Sequence, residues 1–249
     1  MNLLLVESLE SEIVNIRGNE ARKVFATQQL SLGNIINVGE RNGRVARAEI
    51  ISLADEEINL RLFGDVVADR RELAISLVVA LPRPQTLKKV FEYAGSVGIK
   101  DIYLTAAERV EKSYFKSRVL KEDEQKKHLE LGLTQGVSTR VPKVSVNHSH
   151  KCCLDSVRNA HSMARFLVAH PYSSENLAAF REGICGEGAE IVLAIGPESG
   201  WTEGDLKVFN EFEYSNFKSG NNILRVEFAV CSLVSQLRLL HELHCKSNK

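Results

Sequence analysis

The chain has 249 residues, 44% hydrophobic and 26% charged, with 32 basic side chains balanced by 32 acidic ones. That length and balance suit one or two globular domains and exclude a binder that holds nucleic acid by bulk charge, so any RNA or DNA site must be a local patch. No run approaches the ~18 uninterrupted apolar residues of a membrane helix, "MNLLLVESLESE" lacks the basic and apolar regions of a secretory signal, and five cysteines without a C-x-x-C pair point to reduced thiols; a cytoplasmic protein with no membrane partner is expected.

The first seventy residues read as a small β-rich domain. Asn19 to Gln28 is the helix candidate in this stretch. "NIINVGERNGRVARAEIISL" reads as two strands around Arg41-Asn42-Gly43, because Asn-Gly between alternating runs is a strong hairpin signal. "INLRLFGDVV" continues the pattern, with Ile58, Leu60 and Leu62 alternating against Asn59 and Arg61. "ADRREL" at 68–73 is a charged joint, which places the domain boundary at 70/71.

From 71 to 249 the grammar becomes strand, helix, strand. "AISLVVAL" is a buried strand ended by Pro82 and Pro84, and "TLKKVFEYAGSV" sets Leu87, Val90, Phe91 and Ala94 on one helical face. Gly98 closes that helix and "KDIYLTAA" is the next strand, a βαβ unit that implies a partly parallel sheet. A long polar helix is expected to follow, running through about Gln135. Then come a strand "ARFLVAH", a short helix "ENLAAFREGI", a strand "AEIVLAI", a helix over about 203–211, a strand "EYSNFK" and a C-terminal helix "NILRVEFAVCSLVSQLRLLHEL". In that last helix Val226, Val230, Leu233, Leu237 and Leu240 form a stripe, backed by Ala229 and Val234, wide enough for a core or a partner subunit.

Ligands of open α/β sheets bind at the carboxyl ends of the strands. Three loops there stand out: His170-Pro171, Gly196-Pro197-Glu198-Ser199-Gly200, and Ser219-Gly220-Asn221-Asn222. Glycines at 196, 200 and 220 permit positive φ and leave room for a ligand against bare backbone. Thr202 with Asp205 three residues later makes a capping-box-like helix start. Neither a Walker sequence nor a GxGxxG is present, so these loops do not announce nucleotide phosphates. Arg225 and Glu227 fall near the first turn of an apolar helix, where the dipole favours the acid but not the cation. Arg225 therefore calls for a nearby acid, Glu198 or Glu227, or for a ligand.

"LAIGPESGW" followed by "NILRVEFA" resembles the paired signature of the 16S rRNA uridine-N3 methyltransferases, members of the trefoil-knot (SPOUT) superfamily. The Asn-Gly hairpin followed by "AEI", "VGIKDIYLTAAER", "TQGVSTRVP" and "AHP" at 169–171 extend the resemblance along the chain. It implies an α/β protein in which a β-barrel (PUA-like) RNA-binding domain precedes a knotted α/β domain that binds S-adenosylmethionine and forms a homodimer. Carried over residue by residue, the cofactor site involves His170, Ile195, Gly196, Glu198, Gly200, Gly220, Ile223, Leu224 and Arg225. The expected partner is small-subunit ribosomal RNA. Arg225 would stabilise the uracil anion as N3 attacks the sulfonium methyl, with Glu227 orienting it.

The departures from the family pattern are specific. Ser199 replaces a glycine, Gly204-Asp205 an acidic pair, and Phe228 a threonine; Glu20 and Ala26 fall where histidine and arginine are expected. The family's E-Q-S-G-R becomes "TQGVS", which keeps Gln135, with Arg140 beyond. Arg22, Lys23, Arg41, Arg44 and Arg47 remain, with Gln135 and Arg140, as RNA-contact candidates or as scattered surface charge. "NHSHKCCLD" would alternate His148, His150 and Cys152 onto one strand face, but the spacing matches no standard metal site; His241 and His244 share a helical face near the C-terminus. No metal is expected. The competing readings are a methyltransferase of the same fold acting on another RNA nucleotide, and a non-catalytic RNA-binding protein on the same scaffold.

Overall fold

The computed structural model describes residues 2–27, 30–54, 56–68, 73–184 and 188–247, and the chain divides into two compact units. One unit comprises 1–70, 94–98 and 129–141; the other comprises 71–93, 99–128 and 142–249. Residues 69–72 of the expected joint lie outside the described residues.

The first unit holds β1 (Leu4–Val6), β2 (Ile13–Arg17), α1 (Asn19–Thr27), β3 (Ile35–Glu40), β4 (Arg44–Ala54) and β5 (Glu57–Ala68). Its five-stranded sheet runs β1-β3-β4-β5-β2, antiparallel except for the β1/β3 pair. Alternation places Val14 and Ile16 of β2, Ala46, Ala48 and Ile50 of β4, and Ile58 and Leu60 of β5 in one core. The Asn-Gly hairpin forms, with Asn42 at φ 59° and the Gly43 N–H bonded to the Glu40 carbonyl. Glu40 ties its base: its carboxylate accepts from the Arg44 guanidinium at 3.1 Å and from the Leu9 N–H at 2.6 Å. Arg44 first and Leu9 second draw that carboxyl down to about 2.

The second unit is built on β6 (Ala74–Ala80), β7 (Asp101–Thr105), β8 (Lys143–Asn147), β9 (Arg165–Ala169), β10 (Glu190–Ile195) and β11 (Ser215–Phe217). All its pairings are parallel, in the order β11-β9-β10-β6-β7-β8. Both faces are covered, so the central strands are apolar throughout: Leu77 to Ala80 and Ile191 to Ala194 are all buried. The helices after β6 are α2 (Pro84–Ser96), α3 (Glu122–Gly136), α4 (His150–Ala160), α5 (Glu203–Glu211) and α6 (Val226–Ser247), of which 94–96 of α2 and 129–136 of α3 belong to the first unit.

Several elements differ from expectation. The polar helix begins at Glu122, after 3-10 turns at Lys112–Lys116 and Arg118–Leu120. The segment "ENLAAFREGI" forms a 3-10 helix, Leu177–Gly183, and "EYSNFK" contributes only Ser215–Phe217 to the sheet. "NHSHKCCLD" is not a strand: Ser149 caps α4 by accepting from the Cys152 N–H. In that setting His150 is buried, Cys152 is exposed, and His148 lies against Phe115. The side chain of His244 lies outside the described residues, and no group of His, Cys, Asp or Glu suited to a metal ion occurs among the described ones. The α6 stripe faces this unit's own core, with Val226, Val230, Leu233, Val234 and Leu237 buried. No helix among the described residues is long and apolar enough to cross a membrane.

Candidate active site

The three loops that the sequence singles out follow three neighbouring strands, β11, β9 and β10, and line one cleft. His170, Ile195, Gly196, Glu198, Gly200, Gly220, Ile223 and Leu224 all contribute to its wall, joined by Trp201, Val226, Ala229 and Leu233. Arg225 is not part of the wall; it stands exposed at the start of α6.

The glycines serve two different ends. Gly200 (φ 74°) and Gly220 (φ 75°) occupy the left-handed region that side chains disfavour. Gly196 does not, contrary to the expectation from sequence. There the constraint is space, because an added Cβ would sit 3.3 Å from the Trp201 ring and backbone. The turn closes through Gly200 N–H to Pro197 C=O at 2.8 Å.

Neighbouring segments hold this turn. Glu198 accepts from the Arg83 backbone N–H at 3.0 Å, and Arg109 donates to the Ser199 carbonyl at 2.8 Å. The capping box at α5 is complete: Thr202 Oγ1 accepts from Asp205 N–H, and Asp205 Oδ2 accepts from Thr202 N–H and Oγ1, each at 3.0 Å. The other oxygen of buried Asp205 accepts from Glu108 N–H at 3.1 Å. Gly204 lies inside this cap, between Thr202 and Asp205. Its bare Cα lies against the Glu108 carboxylate, where a Cβ would collide.

The C-terminal helix starts at Val226, four residues later than the sequence pattern suggests. Asn222 to Arg225 stay irregular, and three of them line the cleft. The Arg225 carbonyl accepts the Ala229 N–H at 2.8 Å, so Arg225 occupies the capping position before the first turn. Its guanidinium has no ion-pair partner among the described residues, and neither expected acid serves it directly: Glu198 is engaged by Arg83, Glu227 by Lys89. Lys89, on α2, approaches the buried Glu227 carboxylate at 3.2 Å. That carboxyl is held below the usual range by its own backbone N–H first, then by Lys89 and the Arg225 charge, against desolvation.

The cleft suits a ligand with both polar and apolar parts. The ring nitrogens His170 Nδ1 and Trp201 Nε1 are buried without a hydrogen-bond partner among the described residues, a costly state that a polar ligand atom would relieve. Burial also lowers the His170 pKa, which keeps its imidazole neutral at neutral pH. Ile223 and Leu224 are 70% and 40% exposed at the rim, apolar area that a bound ligand would cover. The cleft volume is about 110 Å³, below the several hundred typical of a closed ligand site, and the cleft is open at this rim.

The RNA-contact candidates are differently placed. Arg22 pairs with Glu56, Arg41 with Glu130 at 2.9 Å, and Arg44 with Glu40 at 3.1 Å, so each guanidinium is already neutralised. Gln135 is exposed and its carbonyl accepts from Asn2; Arg140 is half-buried; the Lys23 side chain lies outside the described residues. Arg47 has no acid partner among the described residues and instead lies over the Phe63 ring.

Comparison with known proteins adds an independent line. A protein-family model described as an RNA methyltransferase domain matches residues 69–238. The ribosomal RNA small subunit methyltransferase E of Treponema pallidum (strain Nichols) is 27% identical over 242 residues, covering 93% of this chain and 88% of that one. The protein of the same name from Bacillus subtilis (strain 168) is 24% identical over 241 residues, covering 94% and 93%. Among solved structures, a ribosomal RNA small subunit methyltransferase E from Neisseria gonorrhoeae bound to S-adenosyl methionine superposes with a TM-score of 0.81. Its identity is 19%, over 97% of this chain and 98% of that one. The likeness shows an α/β fold shared with that methyltransferase.

Proposed function

The chain belongs to the RNA methyltransferase family, and we propose that it uses S-adenosylmethionine to methylate N3 of a uridine in 16S ribosomal RNA of the small subunit. The observation that carries this reading is the cleft itself. Loops at the ends of three parallel strands, two of them glycine-bearing, open beside an arginine that has no ion-pair partner among the described residues.

When bound, S-adenosylmethionine supplies an electrophilic methyl group. The chain's residues do the rest. Main-chain groups around Gly200 and Gly220, where a Cβ would meet only open space, would let the ligand approach the backbone, Gly196 would keep the turn packed on Trp201, and Ile195, Ile223 and Leu224 would offer apolar contacts. Uridine N3 must lose its proton to attack, which leaves charge on the uracil oxygens. Arg225, exposed between the lining residues Leu224 and Val226 and without an ion-pair partner among the described residues, is suited to that charge. Glu227 is ionised and fixed by Lys89, so its part is to hold the local field that orients Arg225.

The same reading assigns 1–70 as a β-barrel RNA-binding domain and 71–249 as a trefoil-knot methyltransferase domain, in a cytoplasmic homodimer. Phe228, Leu239 and Leu243 support the dimer: they are 54–56% exposed and share one face of α6, opposite the stripe that faces the core. The test is nucleotide-resolution methylation mapping on ribosomal RNA from cells lacking the gene. One missing N3-methyluridine in the small-subunit RNA, restored by the purified protein, is expected. A different missing methyl group would shift the substrate nucleotide; an unchanged methylation map would leave only a binding protein.

A further inference from the structure

The first unit's sheet has one face in its core and one open, and the open face carries an ordered row of side chains. Strand register sets Asn37 of β3 opposite Arg47 of β4, and Arg47 opposite Phe63 of β5. Directly opposed residues share a face, so the three stand side by side across three strands. In the next row Ile35 opposes Glu49, Glu49 opposes Arg61, and Arg61 opposes Ile13. Ile35 is 53% exposed, Ile13 46% and Phe63 37%, apolar area left open beside a cation.

Arg47 differs from most arginines around it. Arg17, Arg22, Arg41, Arg44 and Arg61 each meet a carboxylate, whereas Arg47 meets none among the described residues. Its guanidinium lies 5.4 Å from the Phe63 ring centroid. Beside it opens a groove of about 490 Å³, bordered by Asn2, Asn37 and Ile35. An unneutralised cation, an exposed ring and side-chain amides on one sheet face are the elements that bind unpaired nucleotides: phosphate to the cation, a base on the ring, base edges to the amides.

We infer that the row Asn37–Arg47–Phe63 is a single-stranded RNA subsite, with Phe63 stacking one base and Arg47 holding an adjacent phosphate. It rests on the reading of the chain as an RNA-modifying enzyme but occupies a surface other than the cofactor cleft. An acidic protein segment would use Arg47 but not the stacking face of Phe63.

The experiment is fluorescence anisotropy with a labelled single-stranded RNA of about eight nucleotides and the matching duplex, for the wild type, Phe63→Leu and Arg47→Gln. Both substitutions are on the open face, and thermal unfolding of each variant checks that it folds. The wild type is expected to prefer the single strand. Phe63→Leu should weaken it about tenfold with little change in salt dependence. Arg47→Gln should flatten the log–log salt slope by about 0.7, the value for one lost phosphate contact to a single strand. Equal binding by folded variants and wild type, or no single-strand preference in the wild type, overturns the subsite. Calorimetry with S-adenosylhomocysteine keeps the two claims separate: a chain that behaves as expected on RNA but binds no S-adenosylhomocysteine retains the subsite and loses the methyltransferase reading.

Discussion

Arg225→Ala should lower kcat for methyl transfer by about 10²–10³-fold while leaving S-adenosylhomocysteine affinity nearly intact. The split follows from position. Arg225 is exposed, contributes no surface to the cleft wall, and caps α6 through its backbone carbonyl, which alanine retains. What alanine removes is the one cationic side chain of the "NILRVEFA" segment, a planar fork of donors suited to an anion. Arg225→Lys should recover only part of the loss, because an ammonium keeps the charge but not the planar fork. Single-turnover methylation beside calorimetric titration reads both quantities. If turnover and affinity fall together, Arg225 is a cofactor contact and not the stabiliser of the uracil charge.

The largest stability effect is expected in the first unit, at the end of α3. Gly136→Ala should destabilise the protein by about 3 kcal/mol, at the upper end for overpacking, because the new Cβ would lie 2.0 Å from the Ser96 carbonyl oxygen. Backbone cannot yield as a flexible side chain does. The melting temperature should then fall by roughly 6–12 °C. The neighbouring residue carries the opposite sign. Val137 has φ 54° and follows the helix where the Ser138 N–H reaches back to the Leu133 carbonyl, a position that glycine normally fills. Val137→Gly should therefore be neutral or stabilising, by up to about 1 kcal/mol. Thermal unfolding of the two variants tests the pair, and equal destabilisation by both would refute it. The family pattern places its glycine at 137; here close helix packing demands one at 136, and the turn after it is made by a valine under strain.

The strands of the parallel sheet were legible because burial on both faces leaves uninterrupted apolar runs such as "LVVA" and "IVLA". The cleft loops were legible because glycine and proline end those runs abruptly. The strand "KVSVN" was not, since Val144 and Val146 are only half-buried and five residues give a weak period-two signal. The start of α4 was not legible because the histidines and cysteines of "NHSHKCCLD" hide a serine cap, although α4 buries Cys153, Leu154 and Val157 at helical spacing.

Long-range pairing is what a single sequence conceals. Lys89 and Glu227 are 138 positions apart, and nothing in "TLKKVFEYAG" marks one lysine as a carboxylate's partner. The same holds for the basic candidates. Arg22 and Arg41 look available in sequence, yet they meet acids 34 and 89 positions away. Arg47 looks no different from them until the strand register sets it beside Phe63.

The most direct measurement is isothermal titration of the purified chain with S-adenosylhomocysteine, the product left after methyl transfer. The account predicts binding at one site per chain, with a negative heat-capacity change as Ile223, Leu224 and the cleft wall leave water. It also predicts that Ala229→Phe, which fills the cleft beside Leu233, abolishes that binding without unfolding the protein. Absence of heat and of any thermal shift at millimolar ligand would contradict the account, leaving the glycine loops as scaffold alone.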